Sequence, residues 1–570
     1  MKEKIRQNWL VIFIVLVFFV SRFFVFGQMY HQDEYKWATI VNPSFGLELE
    51  SNHPPLVSII YRIAGDIFGF DHLRVVPIVF GTGVLILTYL LTRRLYGRRA
   101  ALWTLLLLTI SIFNFIATTQ IDIDGALLPF VGLLTIYAYY KIDFTRIRGR
   151  ENYRWYVLGV LAIIAGLLIK LSFVLVLITL ATEFFITHPS RRKLLWYASG
   201  ILVGVLAVVA VIVLLVVKLF HITGGAQFIE YISHFSILNF TSRNYGQVLF
   251  LSVKGIVLAS PLLLLWYFIV LTKKEYLIKF RFWLIFLLYN FLFYYIIFDF
   301  TNRTIERYLM FLIIPSAMIA GSLIAERSLT AGKDLVARIL AWVVVCAGAT
   351  YLYLNKSYEI LPLNPKSAYI DHFKHFDLNF LIPITGGSGP IGFYMSVSYI
   401  FFFFLISTVA IIVYRYVKSD EIKTNAFLAV LVIGFMYNAV LDRELISGKM
   451  YGSVDRVAKE IMTEVVKNSN IKKITTYYDI GGYELNISDK YGKRFYTDPM
   501  FAKTNVGKFL NNSNNKENYY AVVDFPLIDT NSVYWKYLES CKKIKEAQDK
   551  KIKGYIFDCL SGDTSLFSKK

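Results

Sequence analysis

The sequence predicts an all-α integral membrane fold of about 13 transmembrane helices, followed by a small C-terminal α/β domain. Three observations carry this. The chain of 570 residues is 56% hydrophobic and only 18% charged, where a soluble chain of this length carries about 25% charged residues. Apolar runs of bilayer length recur from Trp9 to about Leu441. From Asp442 onward the runs stop and short amphipathic and alternating segments replace them.

The spans fall near 9–27, 73–95, 100–118, 125–141, 154–169, 171–187, 194–219, 247–271, 281–298, 307–325, 337–354, 391–417 and 425–441. The first resembles the apolar core of a signal peptide but lacks a small-residue cleavage site, so it reads as a retained helix. Residues 154–187 read as two short helices meeting at Lys170, and 391–417 is long enough to tilt. No internal repeat is evident. Residues 1–441 thus form the membrane domain and 442–570 the second domain. There, Ser453–Asn468 has the period of an amphipathic helix, and Ile474–Tyr478, Tyr483–Ile487, Arg494–Tyr496, Tyr519–Phe525 and Gly554–Phe557 read as strands.

A net charge of +20 would suit nucleic acid, but its placement excludes that partner. Lysines and arginines crowd alternate loops, from Lys2/Lys4/Arg6 and Arg93/Arg94/Arg98/Arg99 to Arg415/Lys418/Lys423, while the loops between are poor in them. This is the positive-inside pattern of a multi-pass plasma (cytoplasmic) membrane protein. It sets the N-terminus in the cytoplasm and, with an odd number of spans, the C-terminal domain outside. Cys346 lies in an apolar run and reads as a packing residue. Cys541 and Cys559 fall in the outer domain, where a disulfide between them stays open on sequence alone.

On this map the chemistry-bearing groups gather on the outer side. Asp33 and Glu34 sit in a polar loop after the first helix, and Asp122 and Asp124 at the end of the third span. If that turn is extended, the Asp-x-Asp spacing points both carboxylates one way, which suits a divalent cation or a hydrogen-bond network. Charged groups at membrane helix ends are functional suspects, although ordinary solvated loop acids are the bland alternative. The cations are Lys170, alone in GLLIKLSFVLV, with Arg243, Arg303 and Arg307. Snorkelling explains Lys170 equally simply, and Glu306 is available to pair with Arg303. His53 precedes Pro54-Pro55, which stiffen the backbone; it faces either a phosphate or the acceptor, or is structural.

Carboxylates and cations beside lipid suggest a reaction on a lipid phosphate. A phosphate departs as a stable anion and needs positive charge, while the incoming hydroxyl needs one base. The residues then resemble a known family. Asp33-Glu34, His53-Pro54-Pro55-Leu56, LRVVPIVFGTGVLILTYLLTRRLYGRRAALW and IDIDGALLPFVGLLTIYAYY are similar to the superfamily of protein O-mannosyltransferases and aminoarabinose (ArnT-like) transferases, which are GT-C glycosyltransferases. The likeness is clear over residues 28–140 and thins to the span pattern, Lys170 and Arg307-Tyr308. His-Pro-Pro-Leu is more typical of the mannosyltransferase branch, and the short loops and small C-terminal domain look bacterial.

The resemblance implies a GT-C fold and a sugar donor carried on a polyprenyl phosphate. It also implies inversion at the anomeric carbon and catalysis at the outer membrane face, with a glycan, lipid or protein acceptor. Carried over, the family's first-loop acid falls on Asp33, with Glu34 beside it, and its second acidic site on Asp122 or Asp124. Its lipid-phosphate lysine falls on Lys170, and more loosely its arginine on Arg307. Metal use varies across the superfamily, so no cofactor is fixed and a divalent cation at Asp33, Asp122 and Asp124 stays open. The rival readings are a lipid or glycan transporter (flippase), which favours charges near mid-membrane in symmetric halves, and a non-catalytic scaffold. Neither the sugar nor the acceptor is legible.

Overall fold

The computed structural model describes residues 2–45 except 31, 54–193 except 148, 269–297, 306–326, 334–360 except 357, 371–384, 391–468, 481–487, 519–524 and 533–559, with isolated residues at 200, 204, 207, 211, 245, 249, 263 and 471. Its helices are α1 (Lys2–Arg22), α2 (Gln32–Val41), α3 (Leu56–Phe68), α4 (Val75–Tyr96), α5 (Arg98–Ile110), α6 (Ile112–Ala117), α7 (Leu127–Lys141), α8 (Arg150–Ile169) and α9 (Val174–Thr187). They continue as α10 (Lys274–Lys279), α11 (Arg281–Leu292), α12 (Ile313–Glu326), α13 (Leu335–Leu354), α14 (Val397–Tyr416), α15 (Asp420–Ser447), α16 (Val454–Lys467), α17 (Gly482–Ile487) and α18 (Val533–Ser540).

Among the described residues, six helices are long and apolar enough to cross a membrane. Shorter apolar helices occupy Trp9–Val25, Leu127–Lys141, Leu171–Thr187 and Arg281–Ile296. The expected spans at 194–219 and 247–271 lie almost wholly outside the described residues. A bilayer offers backbone groups no partner, so apolar runs close their hydrogen bonds within themselves as helices.

The chain divides into two compact units. The first comprises residues 1–26, 40–338 and 407–435. Here α5 packs against α4, α1 and α12, α7 against α4 and α8, and α9 against α11. Close approach of α12 to α5 depends on Gly321, where a Cβ would come within 2.4 Å of Thr104 Oγ1 and 2.7 Å of its backbone nitrogen. Two segments depart from one continuous helix. The run 100–118 breaks at Ser111, whose extended backbone (ψ 120°) ends α5 and whose hydroxyl caps α6. The run 281–298 passes from α11 into a π-helical turn at Phe293–Ile297. The expected pair of short helices meeting at Lys170 is found: α8 stops at Ile169 and a single 3₁₀ turn precedes α9.

The second unit comprises residues 27–39, 339–406 and 436–570. It holds two three-stranded sheets. In one, β1 (Glu359–Ile360) pairs parallel to β2 (Phe380–Ile384), which pairs antiparallel to β3 (Phe393–Ser396). The other runs β4 (Tyr519–Asp524), β6 (Ile552–Asp558), β5 (Lys542–Asp549), all antiparallel. Amphipathic α16 lies on this sheet, capped by the Ser453 hydroxyl and burying Val454, Val457, Ala458, Ile461, Met462 and Val465. Each of the buried Val, Ile and Met side chains contributes roughly 1.5–3 kcal/mol. The packing requires Gly554, since a Cβ there would meet Val457 at 2.6 Å. Cys541 and Cys559 form a disulfide beside the first pair of the β5–β6 ladder.

Several local expectations are corrected. Asp33 and Glu34 are not in a loop but in the first turn of α2, where acids interact favourably with the helix dipole. Residues 483–487 are helical in α17 rather than a strand, their aromatic and apolar residues packing without a ladder partner. The span at 391–417 begins only at Val397, because Phe393–Ser396 pairs with β2. Strand expectations at 474–478 and 494–496 fall outside the described residues.

Candidate active site

In the first unit the chain leaves α6 at Ala117 and makes a series of bends before α7. Thr118 donates to the Asn114 carbonyl at 2.6 Å and Thr119 to that of Phe115 at 2.8 Å, closing the helix end. At Gly125 the backbone passes so near that a Cβ would lie 2.0 Å from the Ala117 carbonyl oxygen. Only glycine lets the chain turn there. The turn is therefore folded rather than extended, as the bends from Thr118 to Ala126 show. Asp122 is buried; its Oδ2 accepts from Gln120 Nε2 at 3.0 Å, and its carbonyl from the Tyr61 hydroxyl at 2.9 Å.

Asp124 meets Lys170. The break between α8 and α9 puts Lys170 in extended backbone (φ −159°, ψ 135°), with its N–H on the Gly166 carbonyl at 2.9 Å. Its ammonium donates to Oδ1 and Oδ2 of Asp124, both at 2.7 Å.

Asp124 also lines a cleft of about 740 Å³, open mouth included. Most of its wall is apolar: Leu128 and Ile136 from α7, Val176 from α9, Trp283 and Phe286 from α11, and Phe311 with Ile314 near the start of α12. Asn290, Ser172 and Tyr294 add polar groups. Tyr294 lies in the π turn and stacks on Phe311 at 5.5 Å. Such turns recur at functional sites. A mostly apolar cleft with a Lys–Asp pair at its wall suits an amphiphile with a charged head.

In the second unit Asp33 is about one-quarter exposed and 3.5 Å from Lys36, while Glu34 is fully buried. Of the remaining sequence candidates, His53, Arg243 and Arg303 lie outside the described residues. Arg307 falls in the 3₁₀ turn Glu306–Leu312, and its side chain is outside them also. Among the described residues no three His, Cys, Asp or Glu side chains gather to hold a metal ion.

Sequence reasoning missed two fully buried arginines. Arg22 donates to Thr118 Oγ1 at 3.3 Å and the Thr109 carbonyl at 3.0 Å, lying over the Phe18 ring at 3.8 Å. Arg74 donates to the Val25 carbonyl at 2.9 Å and that of Phe26 at 3.3 Å. Both look like ordinary flanking cations in sequence. The cleft aromatics gave no local signal either, being scattered over three of the expected spans.

Residues 52–217 match the model of a family described as dolichyl-phosphate-mannose-protein mannosyltransferase, and this stretch includes Asp122, Asp124 and Lys170. The fold is similar to the crystal structure of ArnT from Cupriavidus metallidurans bound to undecaprenyl phosphate, at 15% identity and a TM-score of 0.57 over 96% of this chain and 97% of that one. The apo state of the same enzyme gives 15% identity and 0.51 over 98% of each chain. No curated protein sequence matches the chain. The superfamily resemblance read from the sequence is thereby borne out.

Proposed function

From its resemblance to the GT-C superfamily of protein O-mannosyltransferases and ArnT-like transferases, we propose that this chain is an inverting membrane glycosyltransferase. It moves a hexose or pentose from a polyprenyl-phosphate carrier to an acceptor hydroxyl or phosphate at the outer face of the plasma membrane. The observation that carries this reading is the Asp124–Lys170 pair, whose Asp124 lines a cleft walled by apolar and aromatic side chains. The cleft takes the isoprenoid tail, and Lys170, with Arg307, Arg303 and Arg243, takes the phosphate. The solved ArnT bound to undecaprenyl phosphate supports a carrier of this kind.

In the reaction the acceptor oxygen bonds to the anomeric carbon as the bond from that carbon to the phosphate oxygen breaks. Asp33 accepts the acceptor's proton, with Glu34, Asp122 and His53 organising the acceptor. Lys170 stabilises the departing phosphate, which needs no general acid. Asp124 keeps Lys170 charged and aimed. An N-terminus in the cytoplasm follows from the charge pattern, and the Cys541–Cys559 disulfide supports an oxidising side for the C-terminal domain.

The test is transfer in proteoliposomes supplied with polyprenyl-phosphate sugars and a mixed acceptor extract, reading release of free polyprenyl phosphate. Wild type should release it, and Asp33→Asn and Lys170→Met should each reduce kcat at least about 100-fold. Normal turnover by both variants would remove the proposed roles. Carrier movement across the bilayer without sugar release would instead favour a transporter.

A further inference from the structure

The helix bearing the proposed catalytic base has its base fastened to the C-terminal domain by a pair of side chains one turn apart. In α16, Asp455 accepts the Met29 N–H at 3.0 Å, and Lys459 donates to the Gly27 carbonyl at 2.7 Å. The two also pair with one another at 2.8 Å. One acid and one base thus grip an N–H and a C=O two residues apart, each with the polarity that backbone group needs.

The surroundings point the same way. Gln28 Nε2 reaches the Leu445 carbonyl at 3.3 Å. Met29 is buried in one cluster with Val454, Ala458, Ile461 and Met462 of α16. Tyr30 meets the ring of Tyr483 at 5.1 Å. Every residue from Gly27 to Tyr30 is therefore held by the C-terminal domain, and α2 starts at Gln32, one residue before Asp33.

We propose that Asp455 and Lys459 are positioning residues that set the aim of Asp33 by clamping the backbone at Gly27 and Met29. The proposal rests on the glycosyltransferase reading for its catalytic consequence, but the clamp itself does not. A carboxylate base must meet its proton within hydrogen-bond reach, so an ångström of drift in α2 lowers kcat while leaving carrier binding alone.

The experiment compares the full-length protein with Asp455→Ala, Lys459→Ala, Asp455→Asn and the exchanged pair Asp455→Lys/Lys459→Asp, in proteoliposomes and by hydrogen-exchange mass spectrometry. Each alanine variant should lose about tenfold in kcat, keep the donor KM within about twofold, and exchange faster over residues 28–36. Asp455→Asn retains an acceptor for the Met29 N–H and should keep most of kcat. The exchanged pair keeps an intrahelical ion pair, yet presents the wrong polarity to both backbone groups and should stay slow. Unchanged kcat in the alanine variants, unchanged exchange over 28–36, or recovery in the exchanged pair would overturn the proposal. A wild type that transfers no sugar would overturn only the glycosyltransferase reading, since exchange over 28–36 still decides the clamp.

Discussion

Lys170 Nζ lies 2.7 Å from both carboxylate oxygens of Asp124, with 14% of the lysine side chain and 11% of the aspartate exposed. A pair this sheltered is costly to break and less costly to delete. Asp124→Asn and Lys170→Met should each lower unfolding free energy by about 3 kcal/mol, and the double variant by less than either alone. Thermal melts in detergent check the cycle. A double variant as unstable as the sum of the singles would show that the two groups do not act as a pair.

Gly125 should tolerate no side chain. A methyl there has to displace the Ala117 carbonyl, so Gly125→Ala is expected to move the whole 118–126 turn and with it Asp122 and Asp124. The overpacking penalty is about 1–3 kcal/mol, and transfer activity should fall further than stability does. Melting midpoint and kcat measured on one preparation separate the two effects.

The cleft predicts a dependence on carrier length. Phe286→Ala removes an aromatic wall from the apolar part of the cleft and should raise KM about tenfold for a long polyprenyl donor, with kcat within about twofold. A water-soluble donor with a truncated tail should show no such change. Equal effects on both donors would place the lipid elsewhere.

Reduction of Cys541–Cys559 should destabilise the C-terminal unit. The bridge spans 18 residues of sequence, for which loop-closure entropy gives about 3 kcal/mol. Paired Ser substitutions should lower the first melting transition and expose β5–β6 to protease, without altering exchange within α4 or α7. A single unshifted transition would show that the bridge contributes nothing.

What the sequence disclosed tracks which forces are local. Apolar length found the spans, and a 3.6-residue period with a serine cap found α16 to within one residue at each end. Strand β5 (KKIKEAQD) stayed hidden because its charges suit a solvated helix; only the β6 ladder and its place at the sheet edge make it extended. At 483–487 alternating residues mimicked a strand that tertiary packing turned into a helix. Of the site, Lys170 and the Asp-x-Asp were legible because a charge in an apolar run is conspicuous. The pairing of Lys170 with Asp124, the seating of Arg22 and Arg74, and the cleft wall all depend on residues far apart in sequence, which no local pattern encodes.

The bond between Cys541 and Cys559 has one more effect beyond stability. Strand β5 is charged on both faces, so side-chain burial alone selects weakly among alignments with β6, and a bulge between Lys543 and Lys545 already offsets the two strands. The tight reversal at Lys550-Lys551 fixes one end of this ribbon and the sulfur bridge the other. Sliding by even one step is then forbidden covalently, so a chain made without the bridge should differ first in strand alignment, as several interconverting forms, before it differs in how much of it is folded.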